Sequence, residues 1–293
     1  MNSSLVFFHL LRIRQWVKNT FIFFPLFFAG ELFKARLLSG CVQTFFGFSL
    51  IASGLYILND SLDREKDRLH PKKVKRPLVQ ISIHPLILTV FVLSLISFGL
   101  FLCGGVNLSV LLTALVYILL HLVYNFFTKR VVILDVAFVA VGFQMRIWAG
   151  AAAAQVIPSV WLQMCVFLLA LFLGFTKRRH EISTLKEKAP EHRSVLGHYT
   201  AYLLDQMIII CSTLTIVFYG LYTLSFYPSH KMASQYMVYS TAFVLYGIFR
   251  YLYLVHVQKK GDDAGEVLLS DGPLLINVLM WILYIAVLLY FPF

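Results

Sequence analysis

Four polar residues close an otherwise apolar run in this sequence: Asn59, Asp60, Asp63 and Asp67, within Tyr56-Ile-Leu-Asn-Asp-Ser-Leu-Asp-Arg-Glu-Lys-Asp. A helix advances about 100° per residue, so relative to Asn59 the three aspartates fall at about 100°, 40° and 80°. All four share one arc of a helix surface. Three like charges on one stripe repel each other, and a bound hard cation removes that penalty. Mg2+ suits such a stripe, because it takes carboxylate oxygens, keeps several waters and shares its shell with substrate phosphates. Asn59, Asp60, Asp63 and Asp67 are therefore the expected metal ligands, with the three aspartates as catalytic carboxylates. The plainer alternative is a solvated helix end, with Arg64, Glu65, Lys66 and Arg68 on the other faces. Carboxylates at the end of a membrane helix are costly, which favours the functional reading.

Basic residues follow. Lys72, Lys73, Lys75 and Arg76 lie in a loop that Pro71 and Pro77 shape. Lys73 and Arg76 are candidate phosphate ligands. A second polar stretch, residues 177–193, opens with Lys177, Arg178, Arg179 and His180; it offers Glu181, Glu187 and Glu191 and no Asp. Lys177 and Glu181 are four apart and share a helix face. Lys177 and Arg178 are expected to hold phosphate, and Glu181 joins the carboxylates of the site. His180 is expected at the surface rather than as a base, since departure of a metal-bound leaving group needs little proton abstraction.

Two charges lie inside an apolar span, Asp135 and Arg146, eleven residues and about 20° apart. Asp135 is expected to point into a cavity, with Gly142 on the same stripe leaving room. Both are functional candidates by their placement, although a pairing that locks helices is equally open for Arg146. Arg250 is expected to snorkel toward headgroups. Near the N-terminus, Lys18 beside Trp16 is a candidate diphosphate ligand at a cavity mouth. Asp262, Asp263, Glu266 and Asp271 make the loop before the last span acidic; solvation is the favoured reading for Asp262 and Asp263.

The elements that must position these residues are set by composition. Of 293 residues, 59% are hydrophobic and 13% charged, whereas a soluble domain carries about a quarter charged. Nine segments approach the roughly 20 apolar residues that a membrane helix needs: 16–33, 40–59, 84–103, 107–127, 132–151, 158–176, 203–225, 236–257 and 273–291. The short run Leu5–Leu11 has no cleavage site after it, so the first span is expected to be retained. With the N-terminus in the cytoplasm, 20 of the 25 Lys and Arg fall on the inner side. That asymmetry orients the chain and explains the net charge of +11 without nucleic acid. Cys41, Cys103, Cys165 and Cys211 are scattered through spans and read as packing residues.

Asn59-Asp60-x-x-Asp63-x-x-x-Asp67 resembles the first aspartate-rich motif of the UbiA superfamily of intramembrane prenyltransferases. Tyr124-Asn125-Phe-Phe-Thr-Lys129-Arg130 is similar to its Tyr…Lys-Arg motif. Within the superfamily the sequence is most similar to the decaprenyl-phosphate phosphoribosyltransferase branch. Arg14-Gln15-Trp16-Val17-Lys18-Asn19, the elements His70-Pro71-x-Lys73 and Lys75-Arg76-Pro77, and Lys177-Arg178-x-x-Glu181 carry that likeness. Glu266-x-x-Leu269-x-Asp271 carries it with less regular spacing. The missing second aspartate-rich motif departs from the ordinary prenyltransferases.

The resemblance implies an all-α polytopic membrane protein of about nine helices, bundled around a central cavity open to the cytoplasm, with residues 1–293 forming one transferase domain. It adds Asn19 and Tyr124 to the substrate-binding set. It implies Mg2+-dependent transfer of 5-phosphoribose from 5-phosphoribosyl 1-diphosphate to a polyprenyl phosphate in a bacterial-type cytoplasmic membrane. The runner-up is a prenyl diphosphate donor with an aromatic or other small acceptor. A transporter with an acidic cation site is disfavoured, because transporters place such charges near the midplane. The sequence leaves a homo-oligomer open.

Overall fold

A computed structural model of the chain describes residues 9–69, 74, 76–81, 83–186, 189–225, 236–259, 261 and 264–291. It is helical, with no strand among the described residues. The long helices are α1 (Ala35–Leu62), α2 (Pro85–Val106), α3 (Leu108–Phe126), α4 (Leu134–Ala154), α5 (Val160–Leu185), α6 (Ala201–Ser225), α7 (Thr241–His256) and α8 (Gly272–Tyr290). A 3-10 turn, Val238–Ser240, leads into α7. Among the described residues these eight are long and apolar enough to cross a bilayer.

They answer eight of the nine expected spans. The first, placed over 16–33, is built otherwise. Ile13–Phe23 winds as an eleven-residue 3-10 helix and passes into a five-residue α-helix, Phe24–Phe28, with Pro25 in its first turn. Asn19, Thr20 and the β-branched Val17 and Ile22 are weak α-formers, and Pro25 withholds an N–H. At about 2.0 Å per residue in 3-10 form and about 1.5 Å in α form, this leading helix still rises roughly 30 Å.

Its winding decides which side chains face the bundle. Three residues per turn stack Trp16, Asn19 and Ile22 on one line, whereas an α-helix would set Trp16 and Ile22 about 120° apart. Trp16 Nε1 donates to Ser53 Oγ at 3.1 Å and Asn19 Nδ2 to Ser49 Oγ at 2.9 Å, both on α1. Ile22 lies against α4 at Gly150, where a β-carbon would stand 1.9 Å from the Ile22 carbonyl oxygen. Glycine is the residue that permits this approach.

α1 and α4 are the most buried of the long helices, and α2 and α8 the least. α1 and α2 close on each other at Gly47 and Gly99, where a β-carbon on Gly99 would meet the Gly47 carbonyl oxygen at 2.7 Å. One apolar core joins the leading helix to α1–α4 through Ile22, Phe48, Ile51, Tyr117 and Ala149. A second joins α4 to α5, α6 and α7 through Val136, Phe172, Leu204 and Tyr251. α4 thus belongs to both, and the space between them opens at the end where α1 stops and α4 begins. Leu86, Phe98 and Phe101 on α2 and Ile276, Leu279 and Leu283 on α8 are exposed, as lipid-facing positions would be. All four cysteines are buried and free.

Candidate active site at the polar end of the bundle

A cavity of about 310 Å³ fills that space. The leading helix, α1, α3, α4 and α5 wall it, and the segments after α1 and α5 rim it. Its walls are unequal in charge. Nine cationic and three acidic side chains line it among the described residues, an excess of six positive charges.

The acidic side is the end of α1. The helix stops at Leu62, with Asp63 at its C-cap, and a new turn runs Arg64–Leu69. The stripe survives the break, because Asp63 N donates to the Asn59 carbonyl and Asp67 N to the Asp63 carbonyl, each at 2.9 Å. Asn59, Asp63 and Asp67 face the cavity as the period requires. Asp60, about 100° round the helix, does not line it. Its carboxylate is buried against Arg12 at 2.5 Å and Arg76 at 2.8 Å. Arg76 also reaches Asp67 at 2.5 Å, and Lys129 pairs with Asp63 at 2.8 Å. Burial, only partly offset by Asp60, holds the Arg12 guanidinium below its ordinary pKa, and Arg76 adds to the lowering. Such a cation gains from a further anion beside it.

The opposite side is the end of α5. Lys177, Arg178 and Glu181 all line the cavity. Arg178 Nε donates to Asp135 at 2.7 Å, and its Nη1 to Glu181 at 2.7 Å. Asp135, expected to project into the cavity, is instead wholly buried behind its wall. Tyr199 accounts for this: its hydroxyl accepts from the Ile133 N–H at 2.7 Å and donates to Asp135 Oδ1 at 2.8 Å. Burial, together with Asp135, pushes the Tyr199 phenol well above its ordinary range, so it stays a donor. Arg193 crosses the rim, donating to the Tyr124 hydroxyl and standing 3.8 Å from Asp135.

The deep end is different again. Arg146 is buried on the cavity wall and donates to Asn19 Oδ1 at 2.7 Å, the Gly142 carbonyl at 2.7 Å and the Tyr117 hydroxyl at 2.8 Å. Its guanidinium also stacks on Tyr117 and Phe143, at 4.9 and 5.2 Å from the ring centres. Asn19 is buried and braces Arg146 rather than lining the cavity. Lys18 lines it, with its ammonium 2.5 Å from Gln15 Oε1.

Lys73, Glu187, Asp262 and Asp263 lie outside the described residues. His180, expected at the surface, is buried beside Thr184 and under Gly261. Arg250 does not snorkel but grips Asp271 through two bonds of 2.9 and 3.0 Å, while Asp271 caps α8. Four residues enter the site that spacing had not singled out: Arg12, Arg193, Tyr117 and Tyr199. Arg12 and Arg193 had a signal, their places among the basic residues before the first span and at the close of the 177–193 stretch.

Asn59, Asp63 and Asp67 offer the hard oxygen donors that suit Mg2+ beside a phosphate. Among the described residues, no three acidic, His or Cys side chains converge on a single point as a closed metal site would require.

Comparison with known proteins agrees with this architecture. Residues 20–270 match the UbiA prenyltransferase family. The chain is 30% identical to the decaprenyl-phosphate phosphoribosyltransferase of Mycolicibacterium smegmatis, over 96% of this chain and 91% of that protein. It is 29% identical to the enzyme of the same name from Corynebacterium glutamicum, over 96% of this chain and 85% of that one. The fold matches a UbiA homolog from Archaeoglobus fulgidus bound to GPP and Mg2+, with a TM-score of 0.74 at 16% identity, covering 97% of this chain and 99% of that one. With its motifs, its helical bundle and a match spanning most of its length, the chain belongs to the UbiA prenyltransferase family and is a membrane transferase.

Proposed function

We propose that the chain is a single-domain enzyme that transfers the 5-phosphoribosyl group of 5-phosphoribosyl 1-diphosphate to a polyprenyl phosphate of the decaprenyl type, with its site on the cytoplasmic face. The observation that carries this reading is the charge of the cavity, nine cations against three carboxylates. The donor brings a diphosphate at C1 and a phosphate at C5, and the acceptor brings another phosphate. A prenyl diphosphate with a small aromatic acceptor would occupy the Asn59–Asp67 side and bring no phosphoryl group to Lys177 and Arg178. The similarity to named phosphoribosyltransferases supports the same choice.

Asn59, Asp63 and Asp67 would hold Mg2+, with Asp60 behind them as the anchor of Arg12 and Arg76. Mg2+ supplies Lewis-acid neutralisation of the leaving diphosphate. Arg76 and Lys129, now on carboxylates, can turn onto phosphate oxygens without leaving the cavity wall. Lys18, Lys73, Lys177 and Arg178 hold the remaining phosphoryl groups. Glu181 faces the ribose hydroxyls, and Asp135 fixes the guanidinium of Arg178 from behind. The bond from C1 to the diphosphate oxygen breaks, and the diphosphate leaves with the electron pair. An oxygen of the lipid phosphate forms the new bond to C1. That oxygen is already anionic, so neither a base nor a covalent enzyme intermediate is needed. Apolar walls at Val139, Phe143 and Leu173 keep water from the same carbon.

The test uses the protein purified in detergent with Mg2+, a polyprenyl phosphate and radiolabelled donor. Label should enter the organic phase, and a chelator or Asp63→Asn should abolish it. Folded protein that transfers no label to lipids of any length tried would overturn the reading and leave prenyl diphosphates with aromatic acceptors as the alternative.

A further inference from the structure

Arg12, Arg76, Lys129, Arg178 and Arg193, at the mouth of the cavity, each have a carboxylate within reach; among the described residues Arg146 has none. It is buried, with 4% of its surface exposed, and its described partners are an amide oxygen, a backbone carbonyl, a phenol and two aromatic faces. No carboxylate among the described residues pairs with it. A buried cation without a counter-charge is costly, and burial of this kind persists where an anion completes it. A guanidinium carries five N–H donors. Three are used, on Nε, Nη1 and Nη2, which leaves one N–H on each terminal nitrogen. Adjacent donors of this kind suit two oxygens of one phosphoryl group.

The surroundings narrow the ligand. Arg146 sits eleven residues beyond Asp135 on α4, and its side chain folds back to the Gly142 carbonyl. The guanidinium therefore stands about 10 Å deeper in the bundle than Asp135, at about 1.5 Å per residue. The cavity wall on this side carries the apolar Val139, Phe143 and Leu173, with His121 near Gly142. A β-carbon on Gly142 would stand in ordinary contact beside the guanidinium, 3.7 Å from Arg146 Nη1, with Tyr117 and His121 at 3.9 and 4.0 Å.

We infer that Arg146 is the seat of a phosphate monoester, bound below the metal–diphosphate side of the cavity within the apolar part of the bundle. On the function proposed above, on which the choice of ligand rests, two substrates carry such a group, the polyprenyl phosphate and the C5 phosphate of the donor. The apolar wall favours the lipid, whose first methylenes need such a surface.

The experiment measures binding to folded full-length protein in detergent, without turnover. The probes are polyprenyl phosphate, the uncharged polyprenol of the same length, and 5-phosphoribosyl 1-diphosphate with Mg2+. The variants are Arg146→Met, Arg146→Lys, Gly142→Ala and Gly142→Asp. Gly142→Asp keeps the bonds that brace Arg146 and sets a competing carboxylate against it, so it tests the idea even if Arg146→Met fails to fold. Arg146→Met and Gly142→Asp should weaken polyprenyl phosphate by about tenfold or more, with Arg146→Lys between them and the wild type. Polyprenol binding should not move. The loss in Gly142→Asp must exceed that in Gly142→Ala, which carries the added bulk alone. Weakened donor with unchanged lipid would place the C5 phosphate at Arg146 and still support the subsite. Unchanged affinity for both phosphates in folded Gly142→Asp overturns it. Wild-type protein that binds the lipid phosphate through Arg146 but transfers no label would refute the proposed reaction and leave the subsite standing.

Discussion

The polar segments that follow α1 and α5 carry similar groups to opposite ends. After α1, three aspartates meet cations brought from elsewhere in the chain: Arg12 from before the leading helix, Arg76 from beyond the Arg64–Leu69 turn, and Lys129 from after α3. Asp63 keeps about a quarter of its side chain exposed on the cavity wall. After α5, a single guanidinium, Arg178, is clamped between Asp135 and Glu181, and the inner carboxylate is fully buried and tied again by Tyr199. On the proposed function, the first arrangement exchanges partners when a polyanion arrives. The second keeps Arg178 on Asp135, because that pair is enclosed and further hydrogen-bonded. One side is built to trade charges and the other to hold a charge in place.

This contrast is open to direct attack. Asp63→Asn should lower turnover about a thousand-fold, roughly 4 kcal/mol of transition-state stabilisation, with the unfolding temperature little changed. Near-normal turnover in that variant would remove Asp63 from the exchanging set. Asp135→Asn should do the reverse, costing about 3 kcal/mol or more of stability, because it leaves the buried Arg178 half-paired; thermal unfolding in detergent reads this directly. An unfolding temperature equal to the wild type would show that the clamp is not closed. Glu181→Gln should raise the KM for the donor about tenfold, near 1.4 kcal/mol, with a smaller change in kcat. Tyr199→Phe should cost about 1 kcal/mol, the worth of one hydrogen bond. Its pH dependence has a definite sign. The folded pKa of this phenol is raised, so the bond to Asp135 is fully present below about pH 10 and lost only as pH climbs through the folded value. The alkaline fall in wild-type stability should shrink in Tyr199→Phe.

Much of the acidic side was legible in the sequence, because helical periodicity carries through the break at Asp63 and aligns Asn59, Asp63 and Asp67. Asp60 lies at the edge of the same arc. Nothing in the spacing said that Arg12 and Arg76 would draw it away from the cavity. Asp135 was misjudged for a related reason: its partner Tyr199 is 64 residues distant, and a tyrosine at the start of a span carries no mark of its role. Arg146 was left balanced between a ligand and a helix lock. The structure gives it three neutral acceptors that act as the lock, on a cavity-lining guanidinium that carries two further N–H groups. The long helices followed from apolar length alone. The leading helix did not, since hydropathy counts residues and is blind to how tightly they are wound.

That winding makes Ile13–Phe23 a segment whose length matters more than its composition. Trp16, Asn19 and Ile22 engage Ser53, Ser49 and Gly150 at strict three-residue intervals. Exchanging one side chain disturbs one contact. Adding or deleting a residue between Trp16 and Ile22 rotates one part of the helix about 120° against the other and shifts it by about 2 Å. Either change uncouples Arg146 from its brace or lifts the chain off α4, so the segment should admit exchanges of residue more readily than any change in their number.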